Sequence, residues 1–179
     1  TAVTFVHGDA GAGKSWLLMD LARKQAHEFL TRRRKDFPLY VDAQGVNLRS
    51  ISQQIAHQMD VYNGVLRYNE VVPLVRLGAL GLIVDGFDEL IMPSGYNDTS
   101  RALMSYVEEF RGEGAIVASA RTSFLHAYSV DSPKRDSAFP YVVTYLKLCP
   151  WEANDRALYS EIQERADLAP RLEALVSAA

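Results

Sequence analysis

Residues 5–18 read "FVHGDAGAGKSWLL", and this run decides how the rest of the chain is understood. Phe5 and Val6 end an apolar burst. Ala10, Gly11, Ala12 and Gly13 follow as four small residues in a row, then Lys14, Ser15 and a stretch with helical apolar spacing. Glycines at 8, 11 and 13 would weaken a helix, so the segment reads as strand, bare-backbone turn and helix start. Gly8 to Ser15 fits G-x-x-x-x-G-K-S/T at each fixed position, with a strand before it and a helix after it. Small side chains let backbone N–H groups turn inward around phosphate oxygens, and a helix beginning near Gly13 adds the positive end of its dipole. Gly8, Asp9, Ala10, Gly11, Ala12, Gly13, Lys14 and Ser15 are therefore candidate nucleotide-binding residues. Lys14 would reach the β- and γ-phosphates, and the Ser15 hydroxyl would serve Mg²⁺. A chance glycine turn is the bland alternative, and the joint match of motif and context tells against it. Trp16, directly after Ser15, either packs on its helix or lies beside the nucleotide.

Working outward, apolar bursts alternate with helical stretches. Strands are expected at Ala2–His7, Phe37–Ala43, Leu80–Phe87, Gly114–Ala120 and Tyr141–Leu148. Helices are expected at Lys14–Thr31, Ser50–Asp60, Asn69–Leu77, Thr99–Arg111 (capped by Asp98 or Thr99), Glu152–Ala166 and Arg171–Ala178. Near-continuous apolar strands separated by helices imply an α/β fold, a parallel sheet of about five strands with helices on both faces. Ligands in such sheets bind beyond the carboxyl ends of the strands. That edge would carry Gly8–Lys14, Asp85–Glu89 and Ser119–Arg121.

A phosphate loop that works with Mg²⁺ needs an acidic residue at the end of a nearby apolar strand. "LIVDGFDEL" (residues 82–90) supplies it: Leu82, Ile83 and Val84 bury the strand and Asp85 emerges from it. Magnesium keeps several waters, so one carboxylate, one hydroxyl and phosphate oxygens suffice. Asp85 and Ser15 are the candidate metal ligands. Asp88 and Glu89 follow on the same edge, as candidates to orient or deprotonate an attacking water, or as a solvated acidic turn. Arg121, at the end of "ASAR", would emerge beside the γ-phosphate and stabilise its charge, or be a surface arginine at a strand end. Lys14, Asp88, Glu89 and Arg121 are thus the candidate catalytic set.

Together "GDAGAGKS", "LIVDGFDEL" and "ASARTS" resemble the NACHT family of STAND P-loop NTPases. The small Gly86 after Asp85, the acidic pair Asp88 and Glu89, and Arg121 as a sensor arginine fit that resemblance. So does "YLKLCPWEANDRALYSEI" (Tyr145–Ile162), a strand, short turn and acidic amphipathic helix. The resemblance implies a three-layer sandwich with sheet order 5-1-4-3-2, counting the phosphate-loop strand as 1. It implies an ATP/ADP switch, slowly hydrolysing ATP, that controls oligomerisation and activates an effector in signalling or antiviral defence. It also implies partner regions of a parent protein: a winged helix, sensor repeats and an effector. No guanine-reading N-K-x-D pattern is present, which favours adenine.

Composition agrees with a globular module. The 179 residues fit one domain, 1–179, whose helices in 150–179 begin a next subdomain; 48% are hydrophobic and 23% charged. The net charge of -3 makes the chain no electrostatic magnet for nucleic acid. One cysteine suits a reducing, cytoplasmic setting, and no apolar run approaches the roughly 18 residues of a membrane span. A strand starting at once after Thr1, and a final "PRLEALVSAA" that reads as a helix stopped mid-course, point to a module of a longer protein. The run Arg32–Lys35 reads as a solvated helix end rather than a nucleic-acid contact. His7 is expected to pack under the loop and Cys149 to be a small buried residue. The stretches Pro93–Asn97 and Ala127–Pro140 read as long loops. Two rival functions remain: a nucleotide-binding interaction module without significant turnover, and a DNA-associated AAA+ ATPase.

Overall fold

The computed structural model describes residues 2–43, 67–91, 107–131, 142–150, 152 and 154–155. The apolar bursts form five strands: β1 (Ala2–Gly8), β2 (Phe37–Asp42), β3 (Leu80–Asp85), β4 (Ala115–Arg121) and β5 (Val142–Lys147). Between them run α1 (Lys14–Leu30), α2 (Tyr68–Arg76), α3 (Phe87–Ile91) and α4 (Thr122–Asp131). The strands make one sheet in the order β2-β3-β4-β1-β5, parallel throughout. This is the α/β P-loop architecture, and the order is the expected 5-1-4-3-2 read from the other edge. Pro38, which cannot donate to a ladder, lies in the edge strand β2, where a missing donor is tolerated.

Successive side chains of each strand face opposite sides, and two apolar clusters result. Val6, Ile83, Val117 and Tyr40 meet Leu17, Leu18 and Leu21 of α1 on one face. Val3, Phe5, Val41, Leu82, Val84, Ala118 and Ala120 meet α2, α3 and α4 on the other. Leu18, Val41, Val71, Val75 and Phe110 are fully buried, each contributing about 1.5–3 kcal/mol of transfer free energy. Phe87 stands edge-on to Phe5, with ring centroids 5.6 Å apart, and to Phe124 at 6.5 Å. These contacts pin the short helix α3 to the sheet.

Several boundaries differ from expectation. The third strand stops at Asp85 rather than Phe87. Gly86 takes φ 79°, a left-handed conformation open to glycine at little cost, and Glu89 N–H closes the turn on the Gly86 carbonyl at 3.0 Å. Helix α4 occupies Ala127–Asp131, which read as loop from its serines. Phe124 and Leu125 are buried in the core, and that burial outweighs the weak local propensity. Cys149 is exposed, not buried: it follows β5, an edge strand whose Thr144–Lys147 are themselves exposed.

The expected helix 50–60, the helix 171–178 and the loop 93–97 lie outside the described residues. So do most of helices 99–111 and 152–166, of which 107–109 and 154–155 are seen as helical. The chain divides into two compact units, Thr1–Leu148 and Cys149–Ala179. No helix among the described residues is long and apolar enough to cross a membrane.

Candidate nucleotide site

Because all strands run parallel, the phosphate loop after β1 and the acidic turn after β3 share the carboxyl rim of the sheet. Only β4 separates the two strands, so their ends lie two strand spacings apart, about 10 Å. They also share a face. Tyr40, Asp42, Ile83, Asp85, Val117, Ser119 and Arg121 alternate onto the side covered by α1, the helix that opens with Lys14 and Ser15.

In the loop, Gly11 and Gly13 have φ 77° and 90°, as a chain that turns its amides inward requires. Gly13 is the N-cap, and its carbonyl accepts the Leu17 N–H at 3.0 Å. The Ala12 N–H closes a turn on the Asp9 carbonyl at 3.2 Å. Gly8 is small for a different reason. A Cβ there would stand 3.2 Å from the Leu148 carbonyl oxygen and 3.3 Å from the Ala12 Cβ. The Lys14 ammonium reaches over the loop and donates to the carbonyls of Gly8 (2.9 Å) and Asp9 (2.8 Å). Its charge thus stands beside the helix N-terminus, where an anion is favoured twice over. Trp16 is half exposed on the first turn, so core packing does not account for it.

Asp85 is buried, at 1% exposure, and an ionised carboxylate there needs donors. It has two. The Ser119 hydroxyl donates to Oδ1 at 2.5 Å and the Tyr40 hydroxyl to Oδ2 at 3.0 Å. The Gly86 N–H in turn donates to the Ser119 oxygen at 2.8 Å, which commits the serine proton to Asp85. The Asp85 carboxylate and the Ser15 hydroxyl are both hard oxygen donors, the chemistry Mg²⁺ takes. No cluster of three or more His, Cys, Asp or Glu gathers among the described residues.

Asp88, Glu89 and Arg121 come together. Arg121 Nη2 donates to Glu89 Oε1 at 3.0 Å, and Nε lies 3.4 Å from Asp88 Oδ2. Asp88 is buried, and its Oδ2 accepts no hydrogen bond. Burial pushes its carboxyl up from the ordinary 3.8. The Arg121 charge and the backbone N–H groups of Arg121 and of Asp88 itself pull the other way, and the Glu89 charge adds to the rise. Glu89 is more open to solvent than Asp88.

His7 belongs to the opposite face, with Nδ1 3.4 Å from the Thr122 hydroxyl. Burial, then the charges of Lys147 and His126, lower its pKa below the ordinary 6.5. Sequence reasoning missed Tyr40. Its position two residues before the end of an edge strand carries no signal that its hydroxyl reaches the neighbouring strand.

The sequence pattern described as NACHT domain matches residues 2–137. No curated protein matches the chain. Among solved structures, the chain is similar to the Aeropyrum pernix ORC1 protein in complex with DNA, at 19% identity and TM-score 0.58, covering 93% of this chain and 44% of that one. It is similar also to the Aeropyrum pernix ORC2 protein in ADPNP–ADP complexes, at 18% identity and TM-score 0.55, covering 93% and 46%. Domain III of the Thermotoga maritima replication initiation protein DnaA is similar at 14% identity and TM-score 0.50, covering 93% and 67%. The chain thus spans less than half the length of the two ORC proteins, and at these identities the likeness is one of fold.

Proposed function

The chain belongs to the NACHT domain family, and on that premise we propose that it is an ATP- and ADP-binding switch module that hydrolyses ATP slowly with Mg²⁺. One observation carries the proposal: the helix start bearing Lys14 and Ser15 and the buried Asp85 lie on one rim and one face of the sheet. The loop from Gly8 to Gly13, with Trp16 nearby, would hold the nucleotide. Lys14 would leave the Gly8 and Asp9 carbonyls for the β- and γ-phosphates, and Ser15 and Asp85 would hold Mg²⁺. When bound, the ion would neutralise charge on the phosphate oxygens. Glu89, with Asp88 beside it, would accept a proton from the water that attacks the γ-phosphorus. Breaking the bond from that phosphorus to the bridging oxygen would leave ADP and phosphate. Arg121 would steady the negative charge on the transferring group.

On the family premise the module is cytoplasmic and works inside a longer signalling or defence protein, with a winged helix, sensor repeats and an effector. Exchange of ADP for ATP would then permit oligomerisation. The domain would span 1–179, with the helices of 150–179 leading into the next subdomain. A second reading, a nucleotide clasp with negligible turnover, draws on the Arg121–Glu89 contact, which engages the proposed base.

Calorimetry with ADP and with ATP, each in Mg²⁺, tests the binding. Micromolar or tighter association lost in Lys14→Ala is expected; equal affinity in the variant overturns the assignment. Phosphate release with and without Mg²⁺ separates the two readings. Turnover that disappears in Asp85→Asn supports the hydrolytic one.

A further inference from the structure

We propose that Tyr40 is a positioning residue for Mg²⁺ binding, holding the Asp85 carboxylate in the orientation the ion requires. The inference rests on the proposed role of Asp85. The Tyr40 ring packs with the α1 cluster while its hydroxyl donates to Asp85 Oδ2 at 3.0 Å. One side chain therefore spans three elements: it grows from β2, lies against the helix that carries Lys14 and Ser15, and ends on the acid of β3. The register sets this up. Tyr40 pairs with Ile83, and Asp42 with Asp85, so Tyr40 starts two residues short of the rim and its long ring carries the hydroxyl up to it.

Two donors on two different oxygens fix a carboxylate more firmly than either alone. Ser119 holds Oδ1 from the β4 side and Tyr40 holds Oδ2 from the β2 side, so rotation about the Cβ–Cγ bond breaks both bonds at once. Tyr40 touches neither phosphate nor the reacting water in this scheme and acts through Asp85. Loss of its hydroxyl should therefore affect the ion and leave metal-free nucleotide contacts alone.

Fluorescent ADP, titrated in EDTA and then across a range of Mg²⁺, reads the two apart. In Tyr40→Phe, which keeps the ring, affinity in EDTA should equal that of the unaltered chain. The Mg²⁺ concentration that half-completes the metal-dependent change should rise about tenfold, the equivalent of one hydrogen bond to a charged group. Ser119→Ala should shift it in the same direction, and Mn²⁺ binding followed by electron paramagnetic resonance should weaken in both. An unchanged half-point in Tyr40→Phe overturns the inference while leaving the proposed function standing, and so does an equal loss of affinity in EDTA and in Mg²⁺. If the unaltered chain binds ADP with no dependence on Mg²⁺, the inference and the metal role of Asp85 fail together. If it binds no nucleotide at all, the proposed function fails with them.

Discussion

Arg121, the last residue of β4, and Glu89, in the short helix α3 that follows β3, are joined: the guanidinium donates to the Glu89 carboxylate at 3.0 Å. The pair bridges β4 and the turn after β3 and places the proposed sensor on the proposed base. The arginine side chain is exposed, at 49%, and the glutamate partly so, at 31%, so the contact contributes less than about 1 kcal/mol to stability. A γ-phosphate offers the same arginine a stronger bidentate partner. The contact is weak enough to be exchanged.

For this reason Glu89→Gln should leave the unfolding midpoint nearly unchanged and nucleotide affinity within a few-fold. Turnover should drop by about 100-fold or more, the ordinary worth of a general base. Phosphate release under saturating ATP and Mg²⁺ measures it. Equal turnover in the variant would assign the base elsewhere.

Lys14→Ala should weaken ATP and ADP binding by roughly 100-fold or more, since an ammonium at a helix start meets phosphate as a charge-assisted donor. The folded state should hardly notice, because among the described residues Lys14 bonds to the carbonyls of Gly8 and Asp9, within its own loop. Thermal unfolding without nucleotide and calorimetry with it check the two halves separately.

The loop glycines should fail in different ways. At Gly13 a Cβ meets nothing within 4 Å, but φ is 90°, so Gly13→Ala should cost about 1–2 kcal/mol through backbone strain. At Gly8 φ is not positive, and the added Cβ instead crowds Leu148 and Ala12, a packing cost of about 1–3 kcal/mol. Urea unfolding of both variants gives the costs. Nucleotide binding should suffer more in Gly13→Ala, whose strain lies within the cradle.

Asp88 makes stability depend on pH. Burial raises its folded pKa above the ordinary 3.8, so the folded state binds the proton more tightly than the unfolded chain. Stability from this group therefore rises as pH falls through the folded value toward 3.8, and is lost as pH climbs back through it. Asp88→Asn, which removes the buried charge at nearly constant volume, should flatten that part of the profile. Urea unfolding of both proteins from about pH 4 to about pH 7 checks it. A parallel pair of curves would locate the titration elsewhere.

The contrast between Asp85 and Tyr40 shows how much the sequence could carry. The place of Asp85 was legible because a carboxylate closing a buried apolar strand is a pattern local to nine residues. Tyr40 was not: it sits 45 residues away, and strand register alone brings its hydroxyl to the acid. The ends of "LIVDGF" and "ASARTSFLHAYSVD" were misjudged for related reasons. Gly86 turned the chain earlier than the apolar pattern implied, and core burial of Phe124 and Leu125 extended a helix through residues whose own preferences are weak.

The sequence by itself determined the phosphate loop, the acid after the third strand and the parallel α/β class, because each follows from backbone rules that act within a few residues. Only the tertiary structure decided which donors hold Asp85, and that Arg121 rests on Glu89. Those contacts depend on strand order and on which face each side chain takes, and both are fixed by burying two apolar clusters on opposite sides of one sheet.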